Sequence, residues 1–357
     1  MERETQLESA FKFGAGRVHF SHGAASLLGD EAQRLHARSA MIIAGNTAFS
    51  VAGDRVLASL HQAGIDTHVS LYSGQCTMEQ ANLFADEAKR LSADLIVGVG
   101  GGRIMDLSKA AARAAGLPVI TVPTLSATSA PYTHMSVMYT PDGHWVGTWF
   151  FPSEVSAVLA DMDFLAAQPK RFIASGAVDA MAKWMEVCHP RYDVRPSGDT
   201  LLAQTIAKQT FDRLALLTPI VCRAEKPEEE DLWEVCFLSI AGASLVSGTA
   251  RCLRQSAIAH AFYEWTRRFR AEEVKNALHG EIVGVGMRAQ GAYNEDAATL
   301  NTLESTLTAL HMPVTLADLG LKSSDAGEAA AWIAENMNFI PQNKRGALQK
   351  AFEHAAK

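Results

Sequence analysis

Between Ser39 and Val122, short apolar runs return about every 25 residues, and the gaps between them carry a helical period. Ser39–Ala44, Thr67–Leu71, Asp94–Val99 and Pro118–Val122 read as buried strands, with helical patterns near residues 50–63, 79–91 and 104–115. Strands spaced this widely cannot join as hairpins. They imply right-handed crossovers and a parallel sheet covered on both faces. Such a sheet puts its ligand-binding groups in the turns after the carboxyl ends of its strands. Phe11–Phe20 reads as an edge strand, followed by a helical pattern from Ala24 to Leu35. Met135–Tyr139 and Trp145–Phe150, with the Pro141-Asp-Gly143 turn between them, read as a hairpin, and Ala157–Ala160 as a last short strand.

From Phe164 onward the strand signals stop and helical periodicity runs almost to Lys357, broken at Pro190, Pro227, Pro313 and Pro341. The expected organisation is an α/β dinucleotide-binding domain over residues 1–163, with a parallel Rossmann-like sheet, and an all-α metal- and substrate-binding domain over 164–357. With 357 residues, 48% hydrophobic and 20% charged, the chain can bury a core in each part and has no disordered bias. A net charge of -7 and a pI near 6.0 argue against nucleic acid and for a small-molecule partner. No apolar leader follows Met1 and no run of about 18 apolar residues occurs, so the expectation is a cytoplasmic protein with no membrane partner. Five cysteines without a Cys-x-x-Cys pair point to buried reduced thiols. The acidic run Glu225–Asp231 reads as a solvated loop and helix start.

Two turns stand out. Gly100-Gly-Gly-Arg-Ile-Met-Asp106 leaves a strand and opens a helix, offering backbone N–H groups and a positive helix end to a pyrophosphate. Pro123–Pro131, after the next strand, carries four hydroxyls and no charge, which suits phosphate, ribose or amide groups. A tight turn that binds nothing is the plainer account of three glycines, and the hydroxyl-rich neighbour weighs against it. Gly14-Ala-Gly16 is a weaker candidate, because His19 stands where the dinucleotide fingerprint needs its third glycine.

In the helical part, Ser175–Glu186 sets Asp179 between Val178 and Ala180. A carboxylate on an apolar helical face needs a partner or must become neutral. His260, in Ala257–Phe262, and His279, in Ala277–Glu281, lie in locally apolar stretches. One acid and two imidazoles make the ligand count of a catalytic divalent site that keeps a position open for substrate. Spacing alone does not bring the three together.

The chain resembles the glycerol dehydrogenase group of the iron-containing (type III) alcohol dehydrogenases, relatives of dehydroquinate synthase and glycerol-1-phosphate dehydrogenase. The resemblance runs from about Phe13 to Leu321. It rests on Gly98–Asp106, on Pro123-Thr to Ala130-Pro with Ser136–Tyr139, on Ser175–Asp179, on Ala259-His-Ala261 and on His279-Gly-Glu281. It implies the dehydroquinate synthase-like fold and a homo-oligomer. NAD(H) or NADP(H) would lie along Gly100, Gly101, Gly102 and Asp106, with Gly45 and Asn46 at the neighbouring turn. Thr124, Thr128, Thr133 and Met135 would stand near the nicotinamide half, and Tyr139 close by. Asp179, His260 and His279 would hold zinc, or iron in some relatives.

The departures from the family pattern bear on substrate. The iron-dependent members carry a fourth ligand, a histidine, one turn after the aspartate. Lys183 stands there instead, which favours three-ligand zinc over iron. The aspartate that binds the polyol in glycerol dehydrogenases is Ser129 here, and a histidine usual after the first metal histidine is Tyr263. With Lys183 and Arg254 near the expected metal, this pattern looks like the hydroxycarboxylate dehydrogenase branch. It implies an anionic substrate, such as a 2-oxo or 2-hydroxy acid, with its carboxylate on one of these cations. The alternative for Lys183 is a plain ion pair with Asp179 or Glu186 across one turn. Where NAD-specific members place an acid against the ribose, Ala44-Gly-Asn46 has none, so NADP(H) is allowed and slightly favoured. The competing functional readings are a polyol dehydrogenase, a lyase or cyclase using transient NAD, and a metal-free nucleotide-binding module.

Overall fold

The computed structural model describes residues 13–188, 197–250 and 256–357, which form two compact units, 13–169 and 170–357. The first is built on a six-stranded sheet of β1 (Val18–Ser21), β2 (Ser39–Ala44), β3 (Asp66–Leu71), β4 (Leu95–Gly100), β5 (Val119–Pro123) and β8 (Ala157–Asp161). Every pairing in it is parallel, and the order across the sheet is β1-β8-β5-β4-β2-β3. The remaining two strands, β6 (Met135–Tyr139) and β7 (Trp145–Phe150), form the antiparallel hairpin read from the sequence.

The crossovers explain both the burial and the site. Helix α1 (Leu28–Arg34) and helix α2 (Asn46–Gln62) pack together, as do α3 (Met78–Arg90) and α4 (Gly102–Ala115). Ile42, Val97, Val99, Ile120 and Leu159 of the central strands join Leu28, Val56 and Leu60 in one core, all fully buried. Burying each of these side chains contributes roughly 1.5–3 kcal/mol. From β2 the chain steps outward to β3, and from β4 it steps the other way to β5. The reversal makes a crevice at the carboxyl ends of β2 and β4, the switch point where parallel sheets bind ligands.

Three details differ from the sequence expectation. Among the described residues of the first segment, Val18–Ser21 form the strand, while Ala15 makes an isolated parallel bridge to Val155 beside Gly14, which is in the left-handed region at φ 101. Helix α2 begins at Asn46 rather than near residue 50, so the Gly45-Asn46 turn is itself a helix start. The α/β unit runs on past residue 163 to Pro169, since Asp161 at the end of β8 caps α5 (Met162–Ala166) through the Asp163 amide and keeps it on the sheet.

The second unit has no strand among its described residues. Its helices are α6 (Lys170–Val187), α7 (Gly198–Arg223), α8 (Glu229–Phe237), α9 (Ala243–Thr249), α10 (Ile258–Phe269), α11 (His279–Asn294), α12 (Ala297–Ala309), α13 (Asp325–Asn336) and α14 (Arg345–Ala355). A π-helical turn, Leu238–Gly242, joins α8 to α9. By length and composition the continuous stretch Glu229–Thr249 could cross a membrane, but it is mostly buried in this unit and packs on α6 and α7 as a core helix. The break expected at Pro190 lies outside the described residues, whereas Pro219 falls inside the last turns of α7. At the centre, α6 and α10 both pack on α11.

Candidate active site

The switch-point crevice of the α/β unit is lined by main chain. Gly100 ends β4 at φ 155, and a Cβ there would meet the Ile104 side chain at 3.1 Å, so both backbone and space call for glycine. Gly101 stands at the N-terminal end of α4 and no side chain caps that helix. The same holds for Gly45 before α2, whereas α3, away from the crevice, is capped by the Thr77 hydroxyl. The Gly45 amide donates to the Val99 carbonyl at 3.3 Å, which places the two uncapped helix starts side by side. Uncapped first-turn amides beside a positive helix end suit a phosphate. Asn46 is exposed at the start of α2.

The hydroxyl-rich turn lies against these glycines. Thr124 is buried and its amide donates to the Gly100 carbonyl at 3.0 Å. The Thr128 hydroxyl accepts from the Ala130 amide at 3.3 Å and lies where a Cβ on Gly102 would be 3.0 Å away. The Ser129 carbonyl accepts from the Tyr132 and Thr133 amides. Asp106 reaches the other end of the turn: its carboxylate accepts from the Val137 amide at 3.2 Å and pairs with Lys109 at 3.0 Å. Sequence reasoning passed over Lys109. Its ammonium is buried, donates to the Thr133 carbonyl at 3.1 Å and to the Thr133 hydroxyl at 3.3 Å, and also bonds the Met135 carbonyl. Burial pulls its pKa down, against the opposing pull of Asp106. Thr133 and Met135 are thus fixed to α4, while Tyr139 closes β6 with its amide on the Cys76 carbonyl at 2.8 Å.

In the helical unit the structure brings together the three residues that spacing could not. Nε2 of His260 and Nε2 of His279 each lie 3.1 Å from Asp179 Oδ1. One ligand atom from each residue lies within 4.8 Å of the others. Asp179 is 5% exposed. Burial opposes its charge, yet the His279 and His260 imidazoles outweigh burial and hold its carboxyl far below the usual range. For His260, burial disfavours the charged ring, but Glu186 and Asp179 outweigh it and raise the pKa to about 9. A buried carboxylate on which two imidazoles converge is a donor set that suits zinc or ferrous iron.

Close packing explains why these side chains meet. Gly280 follows His279 at the start of α11, and a Cβ on it would overlap the Ser175 carbonyl of α6. The Gly280 amide instead donates to the Ser175 hydroxyl at 3.0 Å. Glu281 fixes the helix start: its carboxylate takes the Leu278 amide at 2.8 Å and a two-pronged contact from Arg171 at 2.6 and 2.7 Å. The Tyr263 ring lies 4.1 Å from that of His279, centroid to centroid.

Lys183, one turn from Asp179, is mostly buried, and its ammonium stands 3.7 Å from Oε2 of Glu186. Arg254 lies outside the described residues. The residue that sequence reasoning undervalued is Glu186, fully buried, whose Oε1 accepts from His260 Nδ1 at 2.6 Å. Its spacing of seven from Asp179 puts both on one face of α6, the signal that could have singled it out.

A parallel α/β unit with a glycine-lined switch point and a helical unit with a three-residue metal-type cluster together make the dehydroquinate synthase-like architecture. Comparison with known proteins agrees. The sequence profile of the iron-containing alcohol dehydrogenase family matches residues 15–162. The glycerol dehydrogenase of Thermotoga maritima is 28% identical over 311 residues, covering 86% of this chain and 84% of its own. Hydroxycarboxylate dehydrogenase A of Escherichia coli is 27% identical over 281 residues, 76% of each chain. Among solved structures, a probable glycerol dehydrogenase from Sinorhizobium meliloti superposes with a TM-score of 0.84 at 21% identity, covering 97% of this chain and 98% of the other. Residues 15–162 match the iron-containing alcohol dehydrogenase profile, and over most of its length the chain is similar to dehydrogenases of that kind.

Proposed function

We propose that the protein is a metal-dependent NAD(P)(H) oxidoreductase that interconverts a small 2-oxo acid, aldehyde or ketone and its hydroxy form by hydride transfer. The observation that carries this reading is the cluster of Asp179, His260 and His279, with a cation, Lys183, one turn further along the same helix. Asp179 and the two Nε2 atoms would hold a divalent ion, zinc in preference to iron, because Lys183 replaces the fourth ligand. Such an ion supplies Lewis acidity toward the reacting oxygen in either direction.

The remaining groups position and discriminate. The amides at Gly101 and Gly102 would receive the pyrophosphate, with Thr124, Thr128 and Asp106 toward the nicotinamide half. Asn46 offers no negative charge against a ribose 2′-phosphate, which supports NADP(H). Lys183 would take a substrate carboxylate by exchanging its loose 3.7 Å contact with Glu186 for a direct, charge-assisted one. A cytoplasmic homo-oligomer belongs to the same reading, on family resemblance.

A second reading, polyol oxidation, has the names of several relatives in its favour. Against it stands Ser129 in place of the family's polyol-binding aspartate. A panel of 2-oxo acids, aldehydes and polyols, run with NADH, NADPH and their oxidised forms in the presence of zinc, tests the choice at 340 nm. Turnover is expected to be fastest with a 2-oxo acid and NADPH. Fastest turnover with glycerol and NAD would overturn the substrate assignment in favour of the polyol.

A further inference from the structure

The end of α6 holds a carboxylate that the reaction itself does not call for. Glu186 is 0% exposed, so its charge must be compensated inside the protein. The compensation comes from α10. Glu186 Oε1 accepts from His260 Nδ1 at 2.6 Å and from the His260 amide at 3.3 Å, while the Glu186 carbonyl accepts the Ser256 amide at 2.9 Å. One residue therefore grips both the ring and the backbone of the helix that carries His260. Its other oxygen, Oε2, has no hydrogen-bond partner among the described residues and faces the Lys183 ammonium at 3.7 Å.

We infer that Glu186 is a positioning residue, which holds the His260 ring in the tautomer and orientation that leave Nε2 as a ligand and, through Oε2, keeps Lys183 aimed beside it. The inference rests on the metal reading of Asp179, His260 and His279. The physical argument is tautomeric. An imidazole has two nitrogens, and a proton fixed on Nδ1 by a short bond to a carboxylate leaves the Nε2 lone pair for a cation. A ring without that anchor can rotate about χ2 or carry its proton on Nε2, and both states are lost to metal binding. The carboxylate also makes the ring a stronger donor to the ion. Glu186 thus acts through His260 without touching the ion or the substrate.

The test is the dissociation constant for zinc, measured with the full chain by competition against a chromophoric chelator, for wild type, Glu186→Gln and Glu186→Ala. Expected is a weakening of roughly 10- to 100-fold in Glu186→Ala, with Glu186→Gln in between, because an amide oxygen still accepts the Nδ1 proton but lacks the charge. Melting curves recorded without zinc show which variants fold. Should Glu186→Ala fail to fold, Glu186→Gln alone decides. A folded variant that binds zinc as tightly as wild type overturns the inference and leaves the metal reading standing. A folded wild type that binds neither zinc nor ferrous iron overturns the metal reading, and this inference with it. A second readout separates positioning from bulk stability. Glu186→Gln should raise KM for a 2-oxo acid more than for an uncharged aldehyde, since Lys183 loses its tether, and equal changes for both would remove the Lys183 part of the inference.

Discussion

In the α/β unit, the groups offered to a ligand are amides at helix starts, and side chains are absent where Gly100, Gly101 and Gly102 line the turn. In the helical unit they are charged side chains, Asp179, His260, Glu186 and Lys183, all wholly or mostly withdrawn from water. The first arrangement is fragile to added atoms. The second is fragile to lost charge, because truncating one partner leaves the others buried without compensation. Backbone recognition suits a cofactor common to many enzymes, while specificity among substrates has to come from the charged side chains.

The most severe test of that contrast removes charge from the helical unit. Asp179→Ala deletes the proposed ligand on which both imidazoles converge and is expected to lower kcat/KM about a thousandfold or more, since a bound divalent ion would contribute several kcal/mol to the reaction. Metal analysis of the purified variant should show the ion gone, and retention of a full equivalent would contradict the ligand assignment. The matching test adds an atom to the α/β unit. Gly100→Ala combines an unfavourable φ with a 3.1 Å contact to Ile104, so it should lose roughly 1–3 kcal/mol of stability. It should also weaken dinucleotide binding while leaving the metal content of the helical unit intact. Calorimetry alongside metal analysis checks both, and a parallel loss of metal would erase the distinction between the units.

Lys183→Met sharpens the comparison within the helical unit. KM for a 2-oxo acid should rise roughly 10- to 100-fold, the value of a charge-assisted hydrogen bond, with KM for an uncharged aldehyde nearly unchanged. Equal effects on both substrates would make Lys183 a structural partner of Glu186 only. The smallest expected effect concerns Glu264, one turn beyond His260 on α10. Burial pushes its carboxyl up to about 7, with Glu186 adding repulsion and His260 opposing. An acid with a raised folded-state pKa destabilises the fold as pH climbs from its ordinary 4.5 toward 7, because the unfolded chain loses the proton first. Glu264→Gln should therefore be more stable than wild type at pH 8 by roughly 1–3 kcal/mol and similar to it at pH 4.5. A stability difference independent of pH would show that the carboxyl titrates normally.

Legibility differed between the two units for physical reasons. The order of β2 to β5 and the turn at Gly100 were plain, because a buried parallel strand must be an apolar run and a close backbone approach must be glycine. The start of α2 at Asn46 was hidden, since Gly45 caps the helix in an extended conformation without a side-chain bond and Asn46 is a poor helix former. Lys109 was hidden in another way. In an alanine-rich helix a lysine reads as solvent-facing, and its burial follows from Thr133 and Met135, more than twenty residues downstream. In the helical unit, Asp179, His260 and His279 were conspicuous as polar residues in apolar surroundings. Their convergence depends on Gly280 resting on Ser175, a contact between segments 105 residues apart that no local pattern encodes.

The burial of Lys109 has a consequence in chemical reactivity. A lysine whose hydrogens are spent on Asp106, Thr133 and Met135 inside the core is closed to acylating reagents, although its lowered pKa would make the free amine a ready nucleophile. It reacts only when α4 parts from the start of β6. The acylation rate of this one amine therefore clocks the opening of this turn, and a dinucleotide bound as proposed should slow that clock in proportion to how firmly it holds the turn shut.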